Sequence, residues 1–290
     1  MKDERLDTYR KQMDEALQQA SKIIKKEGFT AQSPVFNLRA KLYGIALEMS
    51  PNARQDDIDT MYKLIKPKKG EICIDVSAGT GFLTKHLVEW TENTVYAVDP
   101  SKGQLEILVK NIPSSHIKPI VGSLAQETKS DRLGILDQIK EKVDFITSFG
   151  GLHHVYYQKK FFEHTEKLLK SGGRFVAGDV GDNTCLSKHF DDVVARKCLT
   201  SHTARWLSKE RLEELIADLP TLKLLKAEMK TQHWVFSSKR EMAIFFKGLH
   251  AYPMSEDEII HDLYDALGYV EKDGKVILNW PMLFFEIIKK

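Results

Sequence analysis

Three aspartates and a pair of histidines have the types and settings that could do chemistry. Asp75, Asp99 and Asp179 each sit at or near the end of a short apolar run: "EICIDV" (71–76), "TVYAVD" (94–99) and "RFVAGDV" (174–180). His153 and His154 follow a fourth run, "VDFITSF" (143–149). A carboxylate there can accept hydrogen bonds from ligand hydroxyls. A histidine titrates near neutrality and can act as a general base. Adjacent residues at a helix start point in different directions, so at most one of the two histidines is expected to face a cavity, the other reading being packing. Asp179 could instead cap its loop, and Asp182 is a further acid beyond the same run.

The stretch "DVSAGTGFLT" (75–84) adds a glycine loop. Gly79 and Gly81 let backbone N–H groups approach a ligand closely. Thr84 stands where a dinucleotide fingerprint places its third glycine, which argues against NAD or FAD. No lysine follows as in a phosphate-binding P-loop, which argues against ATP. Asp99, twenty residues after Gly79, is placed to take both hydroxyls of a ribose. A ribose site without a pyrophosphate site implies a nucleoside cofactor, and S-adenosylmethionine is the candidate.

The elements that must hold these residues read as alternating strands and helices. The apolar runs above, with "HIKPIV" (116–121), are separated by helical stretches near 82–90, 102–111, 130–142 and 156–170. That alternation predicts a doubly wound parallel sheet built from right-handed crossovers. Ahead of it lie three helical segments: a stripe from Leu6 to Ile24, then 35–49 and 56–65, with a break at Gly28–Pro34. The polar "KPKKG" (66–70) is a linker. We therefore expect an N-terminal helical cap over 1–66 and a main domain over 67–290, with 182–206 an irregular, polar insertion beside the active site. Helices near 207–218, 238–249 and 255–267 and a long strand at 222–236 follow. A last strand comes after the "KDGK" turn (272–275), where Pro281 suggests an edge or a bulge.

The composition is that of an ordinary globular chain: 290 residues, 42% apolar, 29% charged, net charge +2. No field of one sign calls for nucleic acid. No apolar run is long enough to span a bilayer. The charged N-terminus does not read as a signal peptide. Cys73, Cys185 and Cys198 lack metal-site spacing, so no metal is expected, and their odd number suggests reduced thiols in a cytoplasmic protein.

The ordered set of "DVSAGTG", Asp99, "SFGGLHH" and "LLKSGGRF" resembles the class I S-adenosylmethionine-dependent methyltransferases. The resemblance covers about 70–180 well. It implies a Rossmann-like, mostly parallel seven-stranded sheet with an antiparallel C-terminal strand. It places Asp75, Ser77, Ala78, Gly79 and Gly81 at the methionine end of the cofactor, with Asp99 and Pro100 at the ribose. Ser123 and Leu124 would lie beside adenine, where Ser123 replaces the family's usual acid. Ser148, Phe149 and Gly150 would lie under the methionine end. His153, His154 and Asp179 become the catalytic candidates.

The acceptor is open at this level. The place after strand four holds "SFGG" and not the Asn/Asp-Pro-Pro-Tyr motif of enzymes that methylate base amines or glutamine amides. A small-molecule acceptor in a capped cavity is the expectation. A protein or RNA methyltransferase and a non-catalytic cofactor-binding member are the alternatives, and a nicotinamide oxidoreductase is a distant third. Arg39 and Tyr43 share a face of the second helix. The plainer reading there is packing and a solvated cation; the other is reach toward a cofactor or acceptor carboxylate. Trp206 either walls the acceptor pocket or packs in the core.

Overall fold

The computed structural model describes residues 2–27, 34–125 and 134–290. Residues 28–33 of the expected Gly28–Pro34 break and the start of the 130–142 helix lie outside the described residues. The chain divides into two compact units. One comprises 58–182, 204–230 and 281–290, the other 1–57, 183–203 and 231–280.

The first unit is built on a sheet in the order β3-β2-β1-β4-β5-β8-β6. Its strands are β1 (Cys73–Val76), β2 (Val95–Asp99), β3 (Ile117–Val121), β4 (Val143–Phe149) and β5 (Leu169–Asp179), with residues 222–230 of β6 (Leu222–Phe236) and 281–289 of β8 (Lys275–Lys289). Strands β1 to β5 pair in parallel, and β8 pairs antiparallel to β5. Every residue of β1 and β2 is buried, which is why these strands appear in the sequence as unbroken apolar runs. Crossovers are made by α4 (Thr84–Thr91), α5 (Lys102–Asn111), α6 (Gly134–Asp137) and α7 (Gln158–Leu168). The core joins Ile74, Val98, Ile146, Phe161, Phe162, Phe175 and Phe285. Helix α10 (Lys209–Ile216) adds Leu212 and Leu215.

In the second unit, α1 (Lys2–Glu27) and α2 (Pro34–Met49) pack with α11 (Lys239–His250). The crossing is close at Gly248, where an added Cβ would lie 2.6 Å from the Leu42 carbonyl and 2.8 Å from the Ala46 Cβ. Helix α12 (Glu256–Leu267) leads to β7 (Tyr269–Lys272), which forms a hairpin with the start of β8. Helix α3 (Gln55–Ile65) links the first segment of this unit to the other.

Four expectations need correction. The sheet has eight strands, because β7 pairs with β8 off the seven-strand path. Pro281 is not on an edge strand: β8 lies between β5 and β6, and its register with β5 begins only at Leu283, so the missing N–H falls outside that ladder. Residues 185–197 are not irregular. They form α8 (Cys185–His189), a π-helical turn (Phe190–Val194) and α9 (Ala195–Lys197), with Leu186, Phe190 and Val194 buried at intervals of four. Arg39 is not a solvated cation, being only 8% exposed.

Candidate active site

The parallel registers align the carboxyl ends of five strands. Val76 pairs with Val98 and Ser148, Asp99 with Val121, and Phe149 with Gly178. Strand order reverses on either side of β1, and ligands of open α/β sheets bind at such a switch point.

The glycine loop leaves β1 here. Gly79 and Gly81 have φ of +56° and +92°, a region that glycine occupies without strain. A Cβ on Gly81 would lie 2.6 Å from Ile112 Cδ1 and 2.9 Å from Leu108 Cγ, so the loop lies directly on α5. Ser77 also adopts positive φ, +58°. A serine there costs about 1–2 kcal/mol of backbone strain relative to glycine. Its side chain fits because residue 151 is glycine: a Cβ on Gly151 would stand 2.3 Å from the Ser77 Cβ and 2.7 Å from its Oγ. We expect Ser77→Gly to leave stability within about 1 kcal/mol of wild type, since relief of strain is offset by the flexibility of an unfolded glycine. Ser77→Val should cost about 2 kcal/mol or more, because a β-branched residue tolerates positive φ poorly and would press on Gly151. Urea denaturation of both variants checks the pair.

Asp75 is buried at the end of β1, and Thr84 Oγ1 donates to its Oδ2 at 2.6 Å. The threonine in place of a third glycine therefore holds the carboxyl group of the first strand. Burial pushes the Asp75 carboxyl up to about 7; the Thr84 hydrogen bond opposes that rise, and the nearby Asp99 adds to it. Asp99 is buried too and pushed up to about 6, despite hydrogen bonds from the Ser101 and Gly79 N–H groups. The Gly79 N–H reaches Oδ2 at 2.9 Å and the Ser101 N–H reaches Oδ1 at 2.8 Å.

Both folded values lie above that of an unfolded aspartate. Their contribution to stability is thus present below about pH 4 and is lost as pH rises through 6 and 7. Asp75→Asn keeps an acceptor for Thr84 but cannot ionise. In the absence of cofactor this variant should be more stable than wild type by a few kcal/mol at pH 8, at about 1.4 kcal/mol per pK unit, and the advantage should vanish near pH 4. Urea unfolding at the two pH values is the check.

The remaining expected cofactor residues fall along the same row of strand ends. Ala78 is buried, and its N–H donates to the Val98 carbonyl at 3.2 Å. Pro100 is exposed after β2. Ser123 Oγ accepts from the Ala125 N–H at 3.2 Å, which shapes the turn after β3, while the Leu124 side chain joins the core. Ser148 is buried at the end of β4. The Phe149 ring lies between Phe82 and Phe284, with centroids at 5.9 and 6.3 Å. Gly150 is exposed with φ +66°, and its N–H donates to the Gly178 carbonyl at 2.8 Å.

His153 and Asp179 meet. Asp179 Oδ1 lies 2.5 Å from His153 Nδ1, with both residues buried. The same carboxylate accepts the N–H groups of Leu152 at 2.7 Å and Val180 at 2.7 Å. Asp179 is thus both the loop cap and the orienting partner of a histidine. A carboxylate on Nδ1 fixes that nitrogen as the proton-bearing one and leaves the Nε2 lone pair as the basic one. His154 is half-buried, and its ring centroid is 4.0 Å from that of His153. Trp206 lies with its ring centroid 5.3 Å from that of His153. It is half-buried, and the Arg205 N–H beside it donates to the His153 carbonyl at 2.8 Å. Asp182 is exposed.

Three buried polar atoms lie beside the loop: Thr80 Oγ1 and Gln104 Oε1, which sequence reasoning missed, and Ser148 Oγ, of a residue already expected under the methionine end. None has a hydrogen-bond partner among the described residues. Gln104 Oε1 would stand 3.7 Å from a Cβ added to Gly79. Buried polar atoms without partners are costly, and a polar ligand seated against Gly79 would supply the partners. The residues present therefore fit a nucleoside cofactor with an amino-acid arm.

Residues 74–177 match the family model described as a methyltransferase domain. An uncharacterised methyltransferase from Anoxybacillus flavithermus is 28% identical over 126 residues, which cover 43% of this chain. The chain matches about half of that relative's length, 54%. Among solved structures, the YcgJ protein from Bacillus subtilis aligns over 81% of this chain and 99% of its own with a TM-score of 0.57 at 14% identity. Geranyl diphosphate C-methyltransferase from Streptomyces coelicolor, solved with S-adenosyl-L-homocysteine, aligns over 81% and 77% with a TM-score of 0.52 at 12% identity. Haemonchus contortus phosphoethanolamine N-methyltransferase 2, solved with phosphomonomethylethanolamine and S-adenosylhomocysteine, aligns over 80% and 52% with a TM-score of 0.52 at 17% identity. At these identities the likeness is one of fold. Domain match and relative agree: residues 74–177 match a methyltransferase domain, and the sheet around them has the fold of the methyltransferases named above.

Proposed function

We propose that the protein transfers a methyl group from S-adenosylmethionine to a small-molecule acceptor. The observation that carries this reading is the Asp99 carboxylate, held by the Gly79 N–H at the switch point of the sheet. Asp99 would take the ribose hydroxyls. Gly79, Gly81, Thr80 and Ser148 would receive the methionine arm, and Ser123 and Leu124 would border the adenine. The cofactor supplies an electrophilic sulfonium methyl when bound.

The chain's own part is placement and proton removal. Positioning alone can supply much of the acceleration in such a displacement. His153 would take the acceptor's proton on Nε2, while Asp179 holds the ring and balances the imidazolium charge. Support for a small acceptor comes from the sequence, which lacks a basic stripe or the amine-methylating motif, and from fold neighbours named for geranyl diphosphate and phosphoethanolamine. A cytoplasmic setting goes with this reading. Cys73, Cys185 and Cys198 are free, and no described helix is long and apolar enough to cross a membrane. Titration calorimetry with S-adenosylhomocysteine is the direct test: saturable binding at one site is expected, and its absence would remove the proposal.

A further inference from the structure

The helical unit holds a second group of buried polar side chains that the methyl-transfer reading does not use. Arg39 on α2 is 8% exposed, and one of its N–H groups donates to the Leu249 carbonyl at the C-terminal end of α11. Its guanidinium also lies 5.5 Å over the Phe36 ring. No carboxylate pairs with it among the described residues. The titratable groups that face it are Cys198, Tyr252 and Tyr43, none of them a carboxylate.

Two backbone bonds bring the partners together. The Leu199 N–H donates to the Ala251 carbonyl at 3.1 Å, and the Tyr252 N–H to the Lys247 carbonyl at 3.1 Å. Tyr252 is 1% exposed, and its hydroxyl has no hydrogen-bond partner among the described residues. Capping one helix carbonyl employs one of the five N–H donors of Arg39, and the partial charge of a helix end offsets only part of a guanidinium. A buried cation without an anion, beside a buried hydroxyl without an acceptor, is two costs in one place. One oxyanion would meet both, since guanidinium binds carboxylate and phosphate through paired N–H groups and tyrosine adds an O–H donor.

We propose that Arg39 and Tyr252 form a binding site, within the helical unit, for the carboxylate or phosphate group of a small organic anion. The site does not depend on the cofactor reading.

The test is thermal melting of the full-length protein titrated with sodium phosphate and, separately, sodium benzoate, at ionic strength held constant with sodium chloride. Binding to the folded state raises the melting temperature along a saturation curve. Wild type should show a saturable rise with at least one of the two anions, and which one answers separates a phosphate site from a carboxylate site. Tyr252→Phe keeps the ring and should raise the half-saturating concentration about tenfold. Arg39→Gln should abolish the saturable response. Because Arg39→Gln also loses a helix cap and could fold poorly, Tyr252→Phe carries the test alone if needed. A wild type that answers neither anion, or a rise that is linear and equal in all three proteins as a general salt effect would give, overturns the proposal. Calorimetry with S-adenosylhomocysteine on the same samples reports on the other unit, so failure of cofactor binding with the anion response intact counts against the proposed function and not against this site.

Discussion

Asp99→Ala should weaken binding of S-adenosylhomocysteine a hundredfold or more, about 3 kcal/mol, since two hydroxyl hydrogen bonds to a carboxylate are lost together. The variant also orphans the N–H groups of Gly79 and Ser101, which the Asp99 carboxylate accepts. Part of the loss will therefore come from a loosened loop. Asp99→Asn is the milder change: its amide keeps similar volume and one acceptor oxygen, enough for one of the two N–H groups, so the loop is half held while the charge is gone. About a tenfold loss is expected there. Calorimetry on both variants, with circular dichroism to establish folding, reads the outcome. Affinity unchanged in a folded Asp99→Ala protein would falsify the ribose assignment.

The second large effect belongs to His153. With a screened acceptor in hand, His153→Ala should slow single-turnover methyl transfer by about a hundredfold to ten-thousandfold, the range of a lost general base. The dissociation constant for S-adenosylhomocysteine should hold. Asp179→Asn should lower the rate as well, because an amide facing Nδ1 admits the wrong tautomer. That variant should also lose stability, since the Asp179 carboxylate accepts two backbone N–H groups at 2.7 Å. His154→Ala should change the rate by about threefold or less, because the orienting Asp179 carboxylate lies on His153. Equal rates for wild type and both histidine variants would rule out a base at this loop and leave positioning as the source of acceleration.

Where burial is uniform, the sequence was a good guide. Strand β4 spans the expected residues, 143–149, and β2 differs by one residue, because apolar runs bounded by polar turns mark buried parallel strands. Strand β7 escaped notice because Tyr269 is half-buried and Val270, Glu271 and Lys272 are exposed, so hairpin pairing makes it a strand without any apolar pattern. The helix within 185–197 was hidden by its charged surface, although Leu186, Phe190 and Val194 already carried the four-residue spacing.

At the site, residue types and order along the chain were legible, and contacts between distant segments were not. Nothing local links Asp75 to Thr84 or His153 to Asp179. The Asp75–Thr84 bond depends on how the loop returns from β1 into α4, and the His153–Asp179 bond, 26 positions apart, on the pairing of β4 with β5. Arg39 shows the opposite failure: a cation on a helix reads as solvated until tertiary packing buries it.

The interlock of Ser77 with Gly151 has a consequence for how such a site can change over generations. Each residue occupies the space that a side chain on the other would need. The two positions form one inherited unit, in which the order of substitution matters. Glycine must come first at 77 before 151 can acquire a methyl group, and the reverse path passes through a clash. A lineage holding serine at 77 is thus committed to glycine at 151, and comparison of related chains should reveal the two varying as a pair.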